Sequence, residues 1–210
     1  MVFEKLLKSL RGIFRIFKKK KSIKLGIYGP PNAGKTSLAN KICLDFIGEP
    51  LGKVSSVPHE TREIQMRDHI ELKRKNKSLF INLIDTPGIA TKVDFEDFLK
   101  HKIKKNVAKK RAKEATKGVI EAIKWLDNMD VVLAVMDASK DPYTQVNVTI
   151  LGNLEARDIP TLIVANKLDV KKAGTKKIKA AFPQHNVVGI SAKTGQGVER
   201  LYDHIFDLVK

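Results

Sequence analysis

The chain has 210 residues, 42% of them hydrophobic and 30% charged, with a formal net charge of +17. That length can bury a full core, and that composition belongs to a folded domain, not a disordered tail. Its one cysteine, Cys43, excludes an internal disulfide and fits a reducing cytosol as a small core residue on the first helix. No apolar run nears the roughly eighteen residues that span a bilayer. The basic charge is concentrated: residues 1–21 hold eight Lys/Arg and the single acid Glu4, and residues 98–113 hold eight Lys/Arg and no acid. All but +2 of the net charge lies in these two stretches, where a polyanionic partner is to be sought.

Residues 2–17 place Phe3, Leu6, Leu7, Leu10, Ile13, Phe14 and Phe17 at helical spacing, with Lys5, Lys8, Arg11 and Arg15 on the other side and Lys18 to Lys21 following. Such a helix is short for a membrane span and lacks the cleavage site of a secretory signal. It reads as an interfacial helix lying on an anionic membrane. Docking of the same stripe on the domain or on a protein partner, and contact with nucleic acid, stay open.

The segment Ile23 to Tyr28 is strand-like and leads into Gly29-Pro30-Pro31-Asn32-Ala33-Gly34-Lys35-Thr36, of the form G-x-x-x-x-G-K-[ST]. Ser37 to Leu44 continues as a helix. A glycine-rich loop between strand and helix lets the N–H groups of Asn32 to Lys35 converge on a β-phosphate at a helix N-terminus. Lys35 then bridges β- and γ-phosphates, and the Thr36 hydroxyl ligates Mg²⁺.

Glu63 to Leu72 and Ser78 to Ile84 read as two strands joined by the polar turn Lys73 to Lys77. Thr61, in the loop before the first, can give its hydroxyl to Mg²⁺ and its N–H to the γ-phosphate. The second strand ends in Asp85-Thr86-Pro87-Gly88. There Asp85 sits near Mg²⁺ without binding it directly, and Gly88 offers an N–H to the γ-phosphate.

Residues 98–113 set single apolar residues among lysines, and Thr116 to Asn128 reads as an amphipathic helix. With Phe98 the one aromatic of the basic stretch, RNA contact there would be electrostatic, without base stacking. A solvated lysine-rich helix is the plain alternative. Val131 to Asp137 suits a central parallel strand, Tyr143 to Arg157 a helix, Thr161 to Ala165 a strand ending in Asn166-Lys167-Leu168-Asp169, Val187 to Ile190 a strand ending in Ser191-Ala192-Lys193, and Val198 to Val209 a helix. Alternation of strand and helix predicts an α/β fold with a mostly parallel sheet, its ligand groups at the C-terminal strand ends. The expected domains are a basic amphipathic helix, 1–21, and a nucleotide-binding domain, 22–210.

These five motifs, GPPNAGKT, Thr61, DTPG, NKLD and SAK, together resemble the translation-factor-related GTPases, most closely the Era/Obg-like branch, over about residues 22–210. The resemblance implies a P-loop G domain that binds GTP or GDP and hydrolyses GTP. The Asp169 carboxylate can accept guanine's N1–H and N2–H₂ as a pair, whereas adenine would leave it unpaired at a cost of roughly a few kcal/mol. By resemblance, Asn166 bonds the other edge of the base, the Lys167 stem packs over it, and the Ala192 N–H meets O6. The residue after DTPG is Ile89, where Ras-like switches carry a water-orienting glutamine. In several Era-like relatives the asparagine at the Asn32 position helps hold K⁺ beside the phosphates. That implies slow hydrolysis stimulated by K⁺, with Lys35, Thr61, Gly88 and Asn32 as the catalytic set. The nucleotide-facing set is Gly29 to Ser37, Asp85, Gly88, Asn166, Lys167, Asp169, Ser191, Ala192 and Lys193.

The chain reads as a stand-alone G domain, without the KH domain of Era or the glycine-rich N-terminal domain of Obg. Ribosome assembly therefore does not carry over directly. Three roles are open: a switch at a membrane surface, an RNA- or ribosome-associated GTPase, and a GTP-binding scaffold that does not hydrolyse. The expected location is the cytoplasm, with a peripheral place on the inner face of the cell membrane if the first helix anchors there.

Overall fold

A computed structural model describes residues 22–52, 63–89, 116–117 and 119–209. The basic stretches 1–21 and 98–113, and with them Thr61, lie outside the described residues.

Six strands form one sheet in the order β2-β3-β1-β4-β5-β6. They are β1 (Ile23–Tyr28), β2 (Gln65–Arg74), β3 (Lys77–Asp85), β4 (Val131–Asp137), β5 (Thr161–Asn166) and β6 (Val187–Gly189). Strand β2 runs antiparallel to β3, and every other pairing is parallel. The hairpin is tighter than its charge pattern suggested. Arg74 pairs with Lys77, so the turn is only Lys75-Asn76, with Lys75 at φ 51°. Arg74 is drawn into the strand because its guanidinium reaches Asp203 at 2.8 Å and also pairs with Glu199, on the last helix.

The helices are α1 (Lys35–Ile47), α2 (Gln145–Glu155), α3 (Lys176–Ala181) and α4 (Val198–Leu208), with a further helical stretch 119–125 running into a short 3₁₀ turn. All seven residues of β4 are buried, which is why its sequence is an unbroken apolar run closed by a carboxylate. Successive side chains leave its two faces alternately. Val131, Leu133 and Val135 join Leu38, Ile42 and Cys43 of α1 and Leu201 and Ile205 of α4. Val132, Ala134 and Met136 join Ala122, Leu126, Ile150, Leu154 and Ile178 on the opposite face. Helix α2 starts later than its sequence suggested because the Thr144 hydroxyl accepts the Asn147 N–H, fixing the N-terminus past Asp141-Pro142. Among the described residues no helix is long and apolar enough to cross a membrane.

The parallel sheet aligns the C-terminal ends of β1, β3, β4 and β5 along one rim. At the end of β1, a Cβ on Gly29 would come within 2.3 Å of the Val135 carbonyl oxygen on the next strand. Backbone cannot yield as a side-chain tip does. Gly29→Ala should therefore destabilise the protein by about 2–4 kcal/mol, read as a lower denaturant midpoint with an unchanged slope. Wild-type stability in that variant would show that the loop does not enter the sheet as closely as described.

Candidate nucleotide-binding site

The loop 29–36 is closed on itself. The Pro30 carbonyl accepts the Lys35 ammonium at 3.0 Å and the Ala33 N–H at 3.4 Å. Two left-handed residues, Asn32 at φ 60° and Gly34 at φ 92°, turn the backbone into α1. Asparagine tolerates that conformation better than most residues. Gly34 is needed there for a second reason, since a Cβ would meet the Asn166 amide nitrogen at 2.3 Å.

Beneath the loop lies a buried pair of charges. Asp85 is 0% exposed and Lys35 6%. Burial pulls the Lys35 ammonium down to about 8, against the opposing pull of Asp85. Burial likewise raises the Asp85 carboxyl, with Thr36 and Lys35 working against it. One oxygen, Oδ2, accepts the Thr36 hydroxyl at 2.6 Å. The other, Oδ1, has no hydrogen-bond partner, and the Thr86 N–H helps stabilise the charge. A buried carboxylate oxygen left so is costly unless a cation completes it.

These residues fit a divalent cation. Among the described residues no group of three or more His, Cys, Asp or Glu could hold one unaided. The ion suited to a single carboxylate, a hydroxyl and phosphate oxygens is Mg²⁺.

The segment after β3 is fastened to the same loop. The Thr86 hydroxyl donates to the Ile27 carbonyl at 2.8 Å, and the Ile89 N–H donates to the Gly29 carbonyl at 3.1 Å. Gly88 packs so closely on Pro31 that a Cβ would stand 2.8 Å from its Cα. Ile89 is 4% exposed and sits in the apolar cluster with Tyr28, Ile84 and Ala122. It faces the core, which explains why an apolar residue is tolerated directly after DTPG.

At the other end of the rim, the Asn166 amide joins three loops. Its Nδ2 donates to the Ala33 carbonyl at 2.9 Å, and its Oδ1 accepts the Ala192 N–H at 2.9 Å. Asn166 is thus a brace between the phosphate loop and the SAK turn, a role its sequence position did not announce. Asp169 is exposed, and the Ser191 hydroxyl donates to its Oδ1 at 2.6 Å, holding the carboxyl below the usual range. An ionised carboxylate with lone pairs to spare suits a ligand edge bearing two N–H donors. Lys193 is exposed beside it.

Two further residues were not singled out by motif. Asp137, closing β4, accepts the Lys167 ammonium at 2.8 Å. Asn40 on α1 donates to the Gly52 carbonyl at 2.6 Å and accepts the N–H groups of Leu51 and Gly52, pinning the chain just before the segment that carries Thr61. The carboxylate ending an apolar strand was a readable signal for Asp137. Nothing marked Asn40.

Gly34→Ala should displace Asn166 and break both of its bonds. The expected result is at least about a tenfold loss of nucleotide affinity, measured by titration with a fluorescent guanine nucleotide. Unchanged affinity would mean that the Asn166 brace is not needed.

The protein-family model described as 50S ribosome-binding GTPase matches residues 24–167. The tRNA modification GTPase MnmE of Chlorobium chlorochromatii is 30% identical over 195 residues, covering 90% of this chain and 36% of that protein. GTPase Era of Geotalea daltonii is 30% identical over 190 residues, covering 88% of this chain and 54% of that protein. GTPase Der of Prochlorococcus marinus is 29% identical over 208 residues, covering 93% and 40%. The chain thus spans about a third to a half of the length of these curated relatives. Among solved structures, Era of Aquifex aeolicus bound to GDP.AlF4- superposes with a TM-score of 0.68 at 22% identity, over 90% of this chain and 57% of that one. The G domain of the T. maritima FeoB iron transporter gives 0.55 at 22% identity, over 90% of this chain and 100% of that one. A match through the phosphate loop, DTPG and the start of NKLD covers well over half of the chain, and the chain belongs to the 50S ribosome-binding GTPase family.

Proposed function

We propose that this chain binds GTP with Mg²⁺ and hydrolyses it to GDP and phosphate as a nucleotide-dependent switch. One observation carries the reading. A single rim of the sheet presents a buried, half-paired carboxylate under a phosphate loop and, further along, an exposed ionised carboxylate. The first suits a cation between phosphates, the second a guanine edge.

In this reading the N–H groups of Asn32 to Lys35 cradle the β-phosphate, and Lys35 leaves the Pro30 carbonyl to meet the β- and γ-phosphates. The Thr36 hydroxyl, with Asp85 behind it, would hold Mg²⁺, and Thr61 would join them. Bound there, Mg²⁺ neutralises charge on the β- and γ-phosphate oxygens. The Gly88 N–H would meet the γ-phosphate. Asp169 accepts guanine's N1–H and N2–H₂. Asn166, Lys167, Ser191, Ala192 and Lys193 shape the pocket around the base, with Gly29, Pro30, Pro31, Ala33, Gly34 and Ser37 forming the loop about the phosphates.

Ile89 is buried and cannot orient a water. Hydrolysis is therefore slow unless positive charge is added near the phosphates. Asn32, exposed at the crown of the loop, carries an amide oxygen of the kind K⁺ takes, and K⁺ there would supply that charge.

GTP should bind at least about a hundredfold tighter than ATP, and Asp169→Asn should erase most of that preference. Phosphate release from GTP should run faster in K⁺ than in Na⁺, and Asn32→Ala should remove the difference. Equal GTP and ATP affinity would overturn the guanine reading. Nucleotide retention without phosphate release would favour a GTP-binding scaffold.

For the partner, the RNA-associated reading has the better support. The family is described by 50S ribosome binding, and a solved Era holds MgGDPNP together with nucleotides 1506–1542 of 16S ribosomal RNA. The comparisons lend nothing to the membrane reading, which stands on the amphipathic spacing of residues 2–17. We treat 1–21 as a basic arm ahead of the G domain, 22–210. RNA affinity should fall by at least about tenfold between 50 and 200 mM salt, as phosphate contacts release counterions, and it should survive in part when 1–21 is deleted. Loss of anionic-vesicle binding on that deletion, with no RNA binding by the full chain, would return the membrane reading.

A further inference from the structure

β4 ends in a carboxylate, Asp137, that is hydrogen-bonded to Lys167 and Ser139. The Asp137 side chain is 8% exposed. Its Oδ2 accepts the Lys167 ammonium at 2.8 Å, and its Oδ1 accepts both the Ser139 N–H at 3.0 Å and the Ser139 hydroxyl at 2.6 Å. Lys167 holds a left-handed backbone at φ 70° and stands two residues before Asp169. Its charge acts on Asp169 as well. One ammonium therefore lies within the influence of two carboxylates, one buried and triply satisfied, the other exposed.

We infer that Asp137 is a positioning residue for base recognition, holding the Lys167 ammonium so that Asp169 stays open to the base and the Lys167 stem stays extended beside it. This rests on the reading of the site as a guanine-nucleotide pocket.

The physical asymmetry favours this arrangement. The Asp137 side of the pair is nearly out of water and supported by Ser139, so the pair is electrostatically stronger than one between two exposed groups. Burial by itself would raise the Asp137 carboxyl, but Lys167 and Ser139 together outweigh it and keep it ionised. With the charge of Asp137 gone, the ammonium is left under the pull of Asp169, on which its charge already acts. Pairing there would occupy the acceptor that guanine needs and swing the stem away from the base.

The test is a double-mutant cycle on the full chain: wild type, Asp137→Asn, Lys167→Met and the double variant, with release of a fluorescent GDP analogue followed by stopped flow. Asp137→Asn should speed release about tenfold in the wild-type background and less than about twofold in the Lys167→Met background. Ser139→Ala should show the same dependence on Lys167 with a smaller factor, and it decides the matter if Asp137→Asn does not fold. An effect of equal size in both backgrounds, or no effect at all, overturns the inference, because a merely structural carboxylate would act regardless of Lys167. Failure of the wild-type chain to bind the GDP analogue overturns the guanine reading and this inference with it.

Discussion

The structure depends on one awkward burial. Asp85 is fully enclosed at the end of β3, with one oxygen on Thr36 and the other without a hydrogen bond. Lys35, nearly as deep, partly balances it, and each group's burial works against its own charge. A fold selected for stability alone would fill this place with apolar side chains. Retaining two desolvated charges at the start of α1 makes sense if a cation and an anion complete them. Their desolvation cost is then offset on binding.

The remaining ties fasten that loop to its neighbours. Asn166 links the Ala33 carbonyl to the Ala192 N–H, so the phosphate end and the base end are braced by one amide. Thr86 and Ile89 fasten the start of the segment after β3 to the Ile27 and Gly29 carbonyls. Gly88 lies against Pro31, and Ile89 is seated in the core beside Tyr28, whose hydroxyl donates to the Ala122 carbonyl at 3.0 Å. A phosphate that drew the Gly88 N–H toward it would pull on Ile89 and, through the shared cluster, on the helical stretch 119–125. A γ-phosphate is read at a distance where such a pull moves an element between two arrangements.

Much of this was legible in the residues. Parallel strands buried on both faces announce themselves as apolar runs, and their ends carried Asp85, Asn166 and Ser191. Strands β1, β4 and β5 and helix α4 lie within a residue or two of expectation. Helix α3 was missed because its six residues bury only Ile178, in a lysine-rich stretch with no readable period. The hairpin turn was drawn too wide because charged residues there signal solvent as readily as an edge strand. Asn166 as a brace, Asn40 as an anchor and Asp137 as a clamp depend on contacts outside their own helix or strand, and local pattern does not report them. The seating of Ile89 in the core is of the same kind: its identity removed a glutamine, but only packing shows where its side chain goes.

We hold that the buried Asp85 carboxylate stands behind Thr36 as part of a cation site. The most direct measurement is the Mg²⁺ dependence of GDP release from wild type and from Asp85→Asn, which keeps the shape and the acceptor for Thr36 but removes the charge. The account predicts that Mg²⁺ slows release from wild type by at least about tenfold and hardly alters release from the variant. The same Mg²⁺ dependence in both proteins would contradict it.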